Sequence, residues 1–303
     1  MPQTPLAGTQ SIVALDRRSG ELGAAVVSQS FSIGSRSVWA EPGVGIVVAQ
    51  GTVEPSYGSL GLALVGGGKT PAHALKSLLA TDPRPDLRQV MIIDSRGRTA
   101  AHTGKNCLPE AGFVTGRGFC AQANFVNTKR AWRSMGTAFR SEKGDLASRL
   151  VAALEAGEQA AKGARRGGGS RSAAIVVVRS TPSGVPWEGK VLDLRVEGSD
   201  APLKQLKGLL KVEEAYERAD AGESLFLRGE AGRGEKEFER AIALASDNFE
   251  VRLRFALALI RLGERKRGLA VLRSALGRGV DFKAIVHELS ARKIVDEQPN
   301  PKR

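Results

Sequence analysis

Apolar residues come first in strand-like runs and only later at helical spacing. Ser11 to Leu15 and Leu22 to Val27 are apolar and β-prone, and Asp16-Arg17-Arg18-Ser19-Gly20 between them supplies turn chemistry, which predicts a β-hairpin. Arg36 to Ala40 and Val44 to Gln50 predict two more strands around a Glu41-Pro42-Gly43 turn, so four strands precede any helix. Ser56 to Val65 then takes helical spacing. Thr70-Pro71 reads as an N-cap with Pro at the first helical position, opening a helix through Ala74, Leu75, Leu78 and Leu79. Gln89 to Asp94 and Thr99 to Thr103 predict a second hairpin across Ser95-Arg96-Gly97, and Phe119 to Asn124 a further strand. Two helices follow, at about 127–139 and 144–160, and the strands Ala173 to Arg179 and Lys190 to Val196 close the series.

From Pro202 onward the pattern is helical only. Gly229 and Gly263, Ala241 and Ala275, and Phe226 and Ile260 are each 34 residues apart, the tetratricopeptide period. The division is therefore a leader over 1–8, an α+β domain over 9–201, a tetratricopeptide-like all-α domain over 202–295 and a tail over 296–303. Two copies are few for a free-standing solenoid, so these helices are expected to pack on the first domain, self-associate or take a protein partner.

Of 303 residues, 42% are hydrophobic, enough for a sizeable core. The net charge of +13 raises the question of nucleic acid, but only two Tyr and three Trp are available for stacking, and acidic residues are interspersed among the basic ones. This reads as a solvated surface, and nucleic acid is not expected; the alternative is a weak, salt-sensitive association with polyanions. No apolar run reaches the ~18–20 residues that cross a bilayer, and MPQTPLAG lacks the features of an export signal, so no membrane partner and a cytoplasmic location are predicted. Cys107 and Cys120 are then expected as reduced thiols. His73, His102 and His287 are scattered, so no metal is predicted. Lys69-Thr70 after Gly66-Gly67-Gly68 is no phosphate loop, because Ala63 stands where that motif needs Gly.

The series SIVALD, GELGAAV, Ser28-Gln29-Ser30-Phe31-Ser32-Ile33-Gly34-Ser35, WAEPGVGIVVAQ and EPSYG resembles the uncharacterised bacterial family DUF1028. The resemblance continues through Arg88-Gln89-Val90, Asp94 with Gly97, Ala101-His102-Thr103-Gly104, Gln122-Ala123-Asn124, Ser172-Ala173-Ala174 and Asp193-Leu194-Arg195-Val196. It covers roughly the first 200 residues. That family is assigned to the N-terminal-nucleophile (Ntn) hydrolases, which implies a four-layer αββα sandwich of two antiparallel sheets, each covered by helices. In such enzymes the nucleophile opens the first strand and is often exposed by self-cleavage after Gly, which points to Gly8 and Thr9 as the cleavage site. A Thr hydroxyl is a poor nucleophile until a base takes its proton; the freed α-amine of Thr9, of pKa near ~7.7–8.0, would be that base. The alternative is a strand-end Thr behind a simple lead-in. Relatives typically begin Met-Thr-Phe-Ser, whereas this chain has eight residues before Thr9 and Gln10 in place of Phe.

The resemblance places further residues around Thr9. Ser28 and Ser30 would orient its amine and hydroxyl, or merely satisfy local backbone. Gln29 stands where relatives commonly carry Arg. Asn124 matches the family's Gln-Gly-Asn and would donate to an oxyanion, or serve as turn chemistry. Glu54 is a candidate for binding a basic or amide group of substrate, and His102 for the same site or a structural role. Arg165-Arg166-Gly167 matches an Arg-Arg-Gly element and reads as a flexible connection, the alternative being an anion-binding loop over the site. Together these imply an amidohydrolase that cleaves a small-molecule, non-peptide C–N amide-like bond without a cofactor. The other reading is an inactive Ntn-fold scaffold that recognises partners through its tetratricopeptide-like helices.

Overall fold

The computed structural model describes residues 7–107, 110–126, 128–161, 168–182, 184–276 and 281–291. Two compact units divide the chain, Met1–Lys207 and Gly208–Arg303. The first is a mixed α+β unit. Its strands are β1 (Thr9–Asp16), β2 (Glu21–Ser28), β3 (Val38–Glu41), β4 (Gly45–Gly51), β5 (Arg88–Asp94), β6 (Thr99–Thr103), β7 (Gly112–Gly116), β8 (Phe119–Asn124), β9 (Ser172–Arg179) and β10 (Lys190–Val196). Its helices are α1 (Ile33–Ser37), α2 (Ser56–Gly66), α3 (Pro71–Thr81), α4 (Arg130–Ser141) and α5 (Leu146–Ala160), and the boundary with the second unit falls within α6 (Pro202–Leu227).

Two antiparallel sheets result. One has the order β10-β9-β2-β1-β8-β7, the other β3-β4-β5-β6. Strand alternation decides what each face meets. Val13, Leu22, Ala24, Ile46, Val48, Met91, Ile93 and Val176 form one cluster between the sheets. At roughly 1.5–3 kcal/mol per large aliphatic side chain, that seam is a major part of the unit's stability. The alternate residues Val47, Ala49, Val90 and Ile92 pack outward on Leu62, Val65, Leu75 and Leu78 of α2 and α3. On the larger sheet, Gly23 has no side chain because a Cβ there would come within 2.5 Å of Leu150 on α5.

Capping agrees with the sequence. The Thr70 hydroxyl accepts from His73 N–H at 3.3 Å, Pro71 opens α3, and Asp145 caps α5 by accepting from Ser148 N–H at 2.7 Å. Two expectations need correction. A strand was expected from Arg36, with four strands ahead of any helix, but Ile33–Ser37 is a short helix and the strand opens at Val38. Ser32 takes a left-handed φ of 55°, Ile33 N–H donates to Ser172 Oγ, and Ser37 Oγ donates back to Ile33 O, so serine hydroxyls hold a local turn. The edge strand β7 was also absent from the reading. It alternates Phe113 and Thr115 outward with Val114 inward, and a five-residue strand that begins and ends in glycine shows little periodicity. α4 opens at Arg130, after the expected start at about 127.

The second unit is helical. It takes the C-terminal part of α6, then α7 (Ala231–Leu244), α8 (Phe249–Arg261), α9 (Arg265–Ala275) and α10 (Phe282–Ala291). Phe226, Phe238 and Phe255 stack in sequence, with ring centroids 5.7 and 5.0 Å apart. Gly229 and Gly263 follow α6 and α8 in equivalent positions. Both are left-handed, at φ 78° and 86°, and in both the next residue's N–H reaches back to Leu225 O or Leu259 O at 2.9 Å. Residues 1–6 of the expected leader over 1–8, the Arg165-Arg166-Gly167 element and the tail over 296–303 lie outside the described residues.

Candidate active site

Thr9 opens β1, near the middle of the larger sheet, with Ser28 of β2 and Asn124 of β8 as its direct partners on either side. Odd-numbered residues of β1 point toward the second sheet, where Val13 joins the core, so the Thr9 side chain sits at one end of the seam between the sheets. It is 4% exposed, and Ser28 and Asn124 are equally buried.

Thr9 Oγ1 lies 2.8 Å from Ser28 Oγ. Ser28 Oγ also accepts from Ser30 N–H at 3.0 Å and lies 3.2 Å from the Gly8 carbonyl oxygen. A carbonyl can only accept and a serine has one proton, so Ser28 donates to Gly8 O and Thr9 donates to Ser28. The Gly8 oxygen takes a second donor, Gln29 N–H at 3.0 Å. Gly8 N–H in turn donates to Gln29 Oε1 at 2.7 Å, and Gln29 Nε2 donates to Gly168 O at 2.6 Å. Gly8 is therefore held at both its N–H and its carbonyl oxygen.

Beneath Thr9 the seam turns polar. Gln50 Nε2 donates to Thr9 O at 3.2 Å and to Gln89 Oε1 at 2.6 Å, while Ser11 Oγ donates to Gln50 Oε1 at 2.6 Å. Gln89 Nε2 meets Thr103 Oγ1 and the carbonyls of Gly112 and Ala123, and its Oε1 accepts from Asn124 Nδ2 at 3.0 Å. This network ties the start of β1 to both sheets. In a low-dielectric interior such bonds are strong and a missing one is costly, so the network fixes the backbone carrying Thr9. Ser11, Gln50 and Gln89 were not singled out for a role in the sequence reading. Their signal is a polar residue at an inward position of an otherwise apolar strand.

The other expected residues fall at varied distances from this centre. Ser30 contributes its backbone: N–H to Ser28 Oγ, and O accepting from Ser172 Oγ at 2.6 Å. Asn124 stands opposite Thr9, with one amide hydrogen already given to Gln89. Glu54 accepts from Ser56 N–H and Oγ just ahead of α2, and its other oxygen lies 3.8 Å from buried Arg88. His102 is half-buried on β6, its Nε2 3.0 Å from Pro85 O. Arg88 is chiefly paired with Asp82, at 2.6 Å, and Tyr57 Oη donates to the same carboxylate at 3.0 Å. The Arg88 hydrogen bonds bring the Asp82 carboxyl down to about 2, and burial raises the Tyr57 hydroxyl. Burial also pushes Cys120 up to about 12.

Backbone strain marks the same end of the sheet. Among the described residues the non-glycine left-handed positions are Ser32 and Phe125, at φ 55° and 53°. They follow β2 and β8, the two strands that flank β1, and strain of this kind concentrates at functional sites. Among the described residues no cluster of three or more His, Cys, Asp or Glu could hold a metal, and no described helix is long and apolar enough to cross a membrane.

Comparison with known proteins finds no match among curated proteins. Protein SPO2555 from Silicibacter pomeroyi, a solved structure assigned to the same family model, is 27% identical, with a TM-score of 0.60 over 67% of this chain and 88% of its own. The model of a family of unknown function, DUF1028, matches residues 9–206, opening at Thr9. The chain therefore belongs to the DUF1028 family.

Proposed function

We propose that the protein is an Ntn amidohydrolase whose nucleophile is Thr9, exposed when the leader is removed after Gly8. In this reading the two sheets and their outer helices are the four-layer αββα sandwich of that superfamily. The observation that carries it is the chain from Thr9 Oγ1 through Ser28 Oγ to Gly8 O. As Thr9 Oγ attacks the Gly8 carbonyl carbon, its proton passes to Ser28 and the Ser28 proton passes to the oxygen being charged. Gln29 N–H supports that oxygen throughout. The adduct collapses by breaking the Gly8–Thr9 C–N bond, with a proton going to the Thr9 nitrogen. Water then hydrolyses the Gly8–Thr9 ester, leaving a free hydroxyl and a free α-amine. No charged base is needed for this first event.

In turnover the α-amine takes the Thr9 hydroxyl proton, the alkoxide attacks an amide carbonyl, and the proton is passed to the departing amine. Water activated by the same amine releases the acid. The site's own groups suffice for these steps, and a cytoplasmic location fits them. The equivalent helix ends at Gly229 and Gly263 support a tetratricopeptide-like second unit that takes a protein partner. That feature also favours a second reading, an inactive scaffold.

Intact mass and N-terminal sequence of the purified protein beside Thr9→Ala separate the two. The hydrolase requires a wild type that begins at Thr9 and a variant that keeps its leader. If both keep Met1 or Pro2, the nucleophile reading fails.

A further inference from the structure

With Thr9 as the nucleophile, we infer that the acyl half of the substrate is an N-acylglycine, so the preferred bond is the amide of an N-acylglycyl group. The inference depends on that reading and comes from how Gly8 is held. Three features of the residue are recognised. Its N–H donates to Gln29 Oε1 at 2.7 Å. Its carbonyl oxygen takes Gln29 N–H at 3.0 Å and Ser28 Oγ at 3.2 Å. The position a Cβ would take is crowded by oxygen: an added Cβ would lie 2.9 Å from Phe125 O, 3.2 Å from Gln29 Oε1 and 3.5 Å from Asn124 O. Phe125 O belongs to a residue held at φ 53°, so its crowding of that position is built into a strained backbone.

Self-cleavage turns this recognition into a statement about substrates. The acyl shift joins the Gly8 carbonyl carbon to Thr9 Oγ and frees the Thr9 amine, leaving an N-acylglycyl ester. An external N-acylglycyl amide attacked by mature Thr9 yields the same species: the Oγ–C bond forms, the amide C–N bond breaks, and the hydroxyl proton leaves on the amine. Water then cleaves the ester, giving the N-acylglycine and Thr9. A site that completes its own maturation has hydrolysed this ester once. When the leader departs it vacates an acceptor for an N–H, two donors for a carbonyl oxygen, and room for a CH2 but not a branched carbon.

The test uses the purified, processed protein, shown by mass to begin at Thr9. The probes are the 7-amino-4-methylcoumarin amides of acetylglycine, acetylalanine, acetylsarcosine and butyric acid. Acetylalanine adds the crowded Cβ, and acetylsarcosine removes the N–H. We expect kcat/KM for acetylglycine to exceed those of the other three by about tenfold or more, the usual scale for one misfitting methyl or one unpaired polar group. Equal rates for alanine or sarcosine overturn the substrate class, as does a processed protein that leaves the glycyl amide intact; either result leaves Thr9 as a self-cleaving residue. A wild type that keeps its leader overturns the nucleophile reading first and the substrate class with it.

Discussion

Thr9 and Ser28 face each other across β1 and β2, and their hydroxyl oxygens lie 2.8 Å apart. In the proposed self-cleavage, Ser28 is the group that would touch both the attacking oxygen and the carbonyl to be attacked. Replacing it should stop maturation while leaving the sheet pairing intact. For Ser28→Ala we expect leader removal to slow by about 10²–10⁴-fold, the range for loss of a proton-transferring side chain, with an unchanged circular dichroism spectrum. Intact mass followed over time reads this directly. Cleavage of the variant at the wild-type rate would take Ser28 out of the relay.

Gln10 alternates with Thr9 and so faces the helices, where it is fully buried with neither amide atom partnered. Its oxygen packs against Gly157 of α5, close to Met135. A buried polar group without a partner costs about 1–3 kcal/mol. Gln10→Met keeps the volume and removes the unpaired atoms, so stability should rise by about that amount in urea unfolding. A loss of stability would show that Gln10 makes hydrogen bonds through buried water.

Asp82 links α3 to β5 through Arg88. Its folded-state carboxyl is depressed to about 2 by the Arg88 hydrogen bonds, so the ionised form stabilises the fold at neutral pH. The contribution is present above the ordinary carboxylate range and is lost as pH falls from about 4 through about 2. On the usual conversion it is about 2 kcal/mol. The thermal midpoint of the wild type should drop over that window, and Asp82→Asn should be less stable at pH 7 and show a flatter profile. Parallel profiles would exclude Asp82 as the titrating group.

Two glycines of the helical region should respond to alanine with opposite signs. Gly229 needs φ 78° and has open space around it, so Gly229→Ala meets backbone strain alone and should cost about 1 kcal/mol. Gly208 lies within α6, exposed and uncrowded, so Gly208→Ala should gain about 1 kcal/mol from helix propensity. Chemical unfolding of the full chain measures both. Effects of the same sign would contradict the helix end at Gly229.

Much of the fold was legible because its signals are local. The hairpins, the Thr70-Pro71 cap and the break to helical spacing after Pro202 each follow from neighbours within a few positions. β7 was not legible, because an edge strand between two glycines carries one inward apolar residue. The helix at Ile33–Ser37 was missed because its support, the Ser172 hydroxyl, comes from a strand 139 residues away.

The site divides along the same line. By itself the sequence determined that Thr9 follows a glycine and opens a strand, that Ser28 ends the next one, and that the chain carries the DUF1028 motifs in order. Hairpin connectivity alone then puts Thr9 near Ser28. Only the tertiary structure decided that Gln29 and Ser28 both donate to Gly8 O, that Gln50 and Gln89 brace Thr9 from the facing sheet, and that Glu54 and His102 spend their hydrogen bonds elsewhere. Those are contacts between residues far apart in the chain. Their geometry is set by how two sheets pack through an apolar seam, and no spacing along one strand encodes it.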